Sequence, residues 1–208
     1  MLDVALALWL GVIRLDAQEP NAPVGVQIGY SRADLGGPDG QALAGRQGAF
    51  AGVYLTGHVR HWLAVQPELN FTLKGGRTVA QLQGGGTAPL DIELAYLQAP
   101  LMLRFSALEG RGRIHPVVFG GPAPALRIGC DLELALDDQQ LRAPCDAASS
   151  FPFRRIDLGV VIGGGLQFDW AQTALAVEAR YDLGVSSIFG SDADVRNRAF
   201  AVLLALNF

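Results

Sequence analysis

The stretch Leu63-Ala-Val-Gln-Pro-Glu-Leu-Asn-Phe-Thr-Leu-Lys74 constrains the fold more than any other part of the chain. Taken two residues at a time, it separates into Leu63, Val65, Pro67, Leu69, Phe71 and Leu73 on one side and Ala64, Gln66, Glu68, Asn70, Thr72 and Lys74 on the other. Side chains alternate across a strand, so this is a ribbon with one apolar and one polar face. It is about twice as long as the five or six residues usual in soluble proteins. It fits the roughly 9 to 11 residues that a tilted strand needs to cross a bilayer. The same alternation recurs down the chain, which predicts an all-β fold: a closed barrel with its apolar face turned to lipid and its polar face filling the lumen.

Composition leaves that fold open and closes others. Half of the 208 residues are apolar and the mean hydropathy is +0.26. No apolar run approaches the roughly 20 residues of a membrane helix. A net charge of −4 and a pI near 5.3 argue against a nucleic-acid partner, which would call for a basic stripe. Near the start, Val4-Ala-Leu-Ala-Leu-Trp-Leu-Gly-Val-Ile13 is followed by small Ala17. This predicts a signal peptide over residues 1–17 and a barrel domain over 18–208, although Asp3 stands where a positive charge is usual.

From there, turn chemistry separates strands expected over residues 24–30, 48–59, 63–74, 92–105, 114–127, 156–170, 174–184 and 197–208. The strand at 114–127 fits least well, because Pro116, Pro122 and Pro124 each remove a ladder donor. The connections at 31–47, 75–89, 128–154 and 185–195 are long, and those between them are short. Eight strands with alternating long and short connections describe an antiparallel up-and-down transmembrane β-barrel, with turns at one end and four excursions at the other.

A lipocalin-like soluble carrier also has eight strands, with its apolar residues inside and its charges in water. Here the polar face carries Glu68, Arg104, Asp157, Glu178, Arg180 and Asp182, of both signs, while the apolar face is almost unbroken. That predicts a lumen ion-pair network in a barrel too narrow for an open pore. Trp62, Phe105, Phe168, Trp170 and Phe208 fall at the short-turn ends, and Tyr30 and Phe71 near the other, like the aromatic girdles of membrane barrels. Cys130 and Cys145 share one long connection, either as unrelated thiols or as a disulfide. The bridge is the preferred reading because the other features point outside the cytosol.

Gly48-Ala-Phe-Ala-Gly-Val53, Val65-Gln-Pro-Glu-Leu69, Tyr96-Leu-Gln-Ala-Pro-Leu-Met-Leu-Arg104, Arg180-Tyr-Asp-Leu-Gly184 and the terminal Phe208 resemble, in order and spacing, the PorT-type outer-membrane β-barrel family of Gram-negative bacteria. The resemblance spans residues 24–208. It implies an eight-stranded barrel in the outer membrane, inserted by the assembly machinery, with Phe208 as the recognition signal at its end. Some members are linked to secretion of surface proteins, a role that no motif carries over.

Catalytic chemistry finds little footing. Gly163-Gly-Gly165 is followed by Leu166-Gln-Phe-Asp-Trp170, which continues at period two where a dinucleotide site would need a helix. Those glycines are expected where the barrel wall bends or large neighbours intrude. Gly84-Gly-Gly86 lacks the Lys and Ser or Thr of a phosphate loop. His58, His61 and His115 are read as interfacial or lumen residues. An outer-membrane lipid hydrolase would pair Ser with His on the outer wall, and no strand Ser accompanies a lipid-facing His. No catalytic residue, metal or cofactor is expected. The expectation is a non-enzymatic barrel whose partners are outer-membrane lipid, the assembly machinery and an unidentified protein or ligand at the surface loops, the Cys130 to Cys145 loop foremost.

Overall fold

The structure, a computed structural model, describes residues 24–36, 44–81, 85–107, 113–136, 139–145, 154–170, 173–188 and 195–208. The predicted signal peptide lies outside these residues. Among the described residues eleven strands form in chain order: β1 (Val24–Gly36), β2 (Ala44–Leu55), β3 (Gly57–Arg60), β4 (Leu63–Gln81), β5 (Thr87–Gln98), β6 (Leu101–Ser106), β7 (Ile114–Leu136), β8 (Gln139–Pro144), β9 (Ile156–Trp170), β10 (Thr173–Gly184) and β11 (Arg196–Asn207). Every pairing is antiparallel, and β11 returns to β1, from Gly25 opposite Asn207 to Gly36 opposite Arg196. β3 resumes the line of β2 after Thr56, β6 resumes that of β5 after Ala99 and Pro100, and β8 pairs with β7 outside the ring. The closed wall therefore has 8 staves. Two of the predicted strands, 48–59 and 92–105, are broken in this way into two segments each.

The apolar face looks outward. Leu69 and Leu101 are each 48 % exposed and Val177 41 %, whereas Glu68 and Arg180 retain 6 % and 4 %. A soluble carrier would have the opposite arrangement, with apolar side chains around the hollow. Trp62 stacks on Phe105 at the short-turn end, with ring centroids 6.0 Å apart, and Trp170 and Phe208 stand exposed at the same end.

Three prolines lie within one continuous 23-residue strand, β7. Their carbonyls explain how: the Ala107 amide donates to Pro116 O at 3.0 Å and the Ala99 amide to Pro124 O at 2.8 Å. In an antiparallel strand one residue's N–H and C=O point to the same neighbour. Pro116, Pro122 and Pro124 share parity, so all three missing donors face the stave that is already interrupted at Ala99 and Pro100. The glycines of β9 fit the same packing. A Cβ on Gly163 would run into the ring of Phe119 inside the barrel.

The connections predicted at 31–47, 75–89 and 128–154 differ from the expectation of loops. Much of each is strand: β1 runs on to Gly36, β4 and β5 form a hairpin beyond Gly75, and β7 and β8 form another. Beyond the lipid-facing band the alternation changes sign. Ile92 and Leu94 face inward and are buried, while Asp91 and Glu93 face out. Leu35 is buried on β1 while Arg32 and Asp34 are exposed. These ribbons are apolar inside and charged outside, as in a water-soluble sheet, so the barrel changes its solvent along its length. The bulge between Ala95 and Tyr96, where β7 bears the extra residue Ile128, falls near this change.

Candidate functional site

Six charged residues were singled out from the sequence, and the folded wall sorts them into three tiers. The first joins four of them. Arg180 Nη1 donates to Glu68 Oε2 at 2.8 Å, and its Nη2 lies 3.3 Å from Glu178 Oε2. Arg104 Nη1 donates to Glu178 Oε1 at 2.6 Å. The two arginines and two carboxylates are all at least nine-tenths buried and balance in sign. Amides fill the remaining valences: Gln27 donates to Glu68 at 3.0 Å and to Asn70 at 2.7 Å, and accepts from Arg180 at 3.0 Å. Gln66 and Asn70 each donate to Glu68 at 2.8 Å. Aromatic faces complete the packing, with Arg180 over Phe50 and Phe119 and Arg104 over Phe119.

Asp182 belongs to a second tier, nearer the long-loop end. Its partners there are Lys74, whose Nζ donates to Oδ2 at 2.6 Å, and Gln98 at 2.8 Å. Among the described residues Asp157 has no cationic partner where an ion pair was expected. Asn197 donates to it at 2.7 Å and the Ser186 hydroxyl at 2.9 Å, both neutral, and Asn197 also donates to the Tyr96 hydroxyl at 3.1 Å. Sequence reasoning missed Lys74 and Gln27 as members. Both lie on the polar parity of their strands, which is the signal that would have found them.

Toward the short turns the first tier runs on through the Gln167 amide to Asp169 and His115. Arg104 donates to Gln167 at 3.2 Å, Gln167 to Asp169 at 2.9 Å, and His115 Nε2 lies 2.6 Å from the other Asp169 oxygen. This end opens into a polar vestibule of about 160 Å³ lined by Tyr54, Thr56, His58, Gln66 and Arg104 among others. Deeper in, between the first two tiers, a cavity of about 10 Å³ is lined by Ser31, Phe50, Arg180 and Asp182 among others. That is the room of about one water molecule.

An apolar cap closes the opposite end. Leu35, Ile92, Leu94, Tyr96, Cys130, Cys145, Ile188 and Val195 pack together there, with Leu90 and Leu132 against them. Ile188 and Val195 come from the last long connection, held by the Ile188 amide donating to Val195 O at 2.8 Å. Cys130 and Cys145 are joined as a disulfide inside this cap, with Cα atoms 5.4 Å apart. Over its outer side runs a ladder of charges in register, Arg77 opposite Asp91, Asp91 opposite Glu133 and Glu133 opposite Arg142. Arg46 pairs with Asp91 at 2.7 Å and also with Glu93, and Arg142 with Asp131 at 3.0 Å. The Asp131 carboxylate beside Arg142 holds that guanidinium above its ordinary pKa. Among the described residues no group of three metal-ligating side chains occurs.

The predicted recognition end, Phe208, is exposed, and its amide donates to Val24 O at 3.0 Å, closing the last stave on the first. The family described as outer membrane protein beta-barrel domain matches residues 17–190. No curated protein sequence matches the chain. Among solved structures it is similar to the outer membrane protein OprG from Pseudomonas aeruginosa, at 11 % identity with a TM-score of 0.52, covering 90 % of this chain and 96 % of that one. It is also similar to Neisserial surface protein A, at 11 % identity with a TM-score of 0.50, covering 89 % and 97 %. At these identities the likeness concerns the fold.

Proposed function

Because this chain belongs to the outer membrane protein beta-barrel domain family, we propose that it serves as a sealed, non-enzymatic anchor in the bacterial outer membrane that holds charged β-ribbons outside the cell. The observation that carries this reading is the stacking of three closures along one lumen. These are the neutral Arg–Glu tier, the Lys74–Asp182 tier and the apolar cap pinned by the disulfide. Ions entering the vestibule would meet the side chains of the two charged tiers and then the apolar cap. Surface binding remains as work for the molecule, through the ribbons of β4–β5 and β7–β8, with the Cys130 to Cys145 hairpin as the foremost contact for a protein or ligand.

The motifs on β4, β5 with β6, and β10 support placing the chain beside the PorT-type barrels within the family. Exposed Phe208 supports recognition by the outer-membrane assembly machinery, and the apolar outer face supports direct contact with lipid. Asp169 lines the vestibule and His115 beside it is buried, away from the lipid on which a hydrolase of this membrane would act.

Reconstitution in a planar bilayer tests the sealed lumen. The expected record shows no unit conductance steps above the bare membrane. Stable, uniform openings would contradict it and turn the charged tiers into a gate.

A further inference from the structure

On the outer wall the lipid-facing band of β1 ends at Tyr30 and that of β11 at Phe200, both about half exposed. The next outward residue on each stave is an arginine, Arg32 on β1 and Arg198 on β11, followed by Asp34 and Arg196. Register places Arg32 opposite Phe200 and Asp34 opposite Arg198, so the two arginines sit on adjoining staves, one step apart.

Both side chains lean away from the membrane. The guanidinium of Arg198 lies over Gly36, one outward position further along β1, where a Cβ would overlap it. Nε of Arg32 lies 3.0 Å from where a Cβ on Gly45 of β2 would stand. Two glycines thus seat two guanidiniums just beyond the apolar band. Long basic side chains take this posture when their stems cross an interface and their charged ends seek the headgroups. Neutralisation is incomplete. Asp34 approaches Arg198 only to 3.8 Å and is itself half exposed, and among the described residues no carboxylate pairs with Arg32. The neighbouring Arg46 is already taken up by Asp91 and Glu93.

We propose that Arg32 and Arg198 form a clamp for a phosphate of a phosphorylated glycolipid in the outer leaflet. The planar fork of arginine matches phosphate oxygens two at a time, which an ammonium does not. The source of the phosphate follows from continuity: the clamp begins on the row where lipid-facing side chains stop, at the height where a lipid carries its headgroup. Asp34 lowers the local positive charge and keeps the clamp from holding any anion indiscriminately. The inference rests on the outward orientation of the long ribbons adopted above.

The test titrates fluorescently labelled bisphosphorylated lipid A into the folded barrel in a zwitterionic detergent, beside the same glycolipid stripped of its phosphates. The phosphorylated lipid is expected to bind more tightly, with affinity falling as salt is added. Arg32→Gln and Arg198→Gln should each weaken it by about tenfold, the scale of losing one charge-assisted contact. Asp34→Asn should strengthen it, a gain that a merely structural role would not give. Equal binding of the two glycolipids, or variants that bind like the parent, would overturn the clamp. Preferential competition by a soluble sulfated oligosaccharide would overturn it too, assigning the arginines to a soluble polyanion. The heat-dependent gel shift of each variant separates the two premises: its loss would indict barrel folding, while an unchanged shift with unchanged lipid binding would indict the clamp alone.

Discussion

Arg180 is held from several sides, by Glu68, Glu178 and Gln27 through its terminal nitrogens and by the rings of Phe50 and Phe119 through its faces. Truncating it leaves buried Glu68 without its cation and Glu178 with Arg104 alone. Removing one partner of a buried pair costs about 3–5 kcal/mol, because the remaining charge stays desolvated. Arg180→Ala is therefore expected to insert and fold, yet to lose its heat resistance in detergent at a clearly lower temperature than the parent. An unchanged transition would mean that Glu68 and Glu178 are not confined together. At this scale Glu68, Arg104, Glu178 and Arg180 were legible in the sequence, because each is a charge at period two within an apolar alternation. Their partnerships were not, since which residues meet across a lumen depends on the stagger of eight staves. Asp157 shows the cost: it shares the polar parity, but at its height the lumen offers Asn197 and Ser186 in place of a cation.

The ribbons beyond the lipid band were the less legible elements. Apolar residues at alternate positions mark the lipid-facing part of all eight staves. The segments 31–47, 75–89 and 128–154 read as loops because Gly, Asp, Pro and other polar residues crowd them, Gly84-Gly-Gly86 among them. Leu35 beside Asp34, and Leu132 between Asp131 and Glu133, keep the same period with the sign reversed, and that reversal is the signal to look for. The β7–β8 hairpin depends on such short pairing, and its disulfide closes a segment of sequence separation 15. On a chain-entropy account a loop of that length gains about 3 kcal/mol from its bridge. Replacing both cysteines by serine should therefore expose the hairpin to limited proteolysis between β7 and β9 while the heat resistance of the membrane staves is retained. Simultaneous loss of both would mean that the cap and the staves unfold as one unit.

For the whole molecule, the parity of long and short connections did as much as the strands to indicate a closed up-and-down ring, and the return of β11 to β1 realises it. Lumen closure follows from size as well as sequence, since eight staves enclose little more than their own side chains. The central claim is about direction: apolar side chains meet hydrocarbon and ionised ones are enclosed. Single spin labels at Leu69→Cys, Leu101→Cys and Val177→Cys, with the native disulfide kept, measure it directly through collision with molecular oxygen, which concentrates in lipid, against a water-soluble nickel complex. The account predicts that all three labels in reconstituted membranes collide readily with oxygen and scarcely with nickel; labels shielded from both, as they would be around a central hollow, would contradict it.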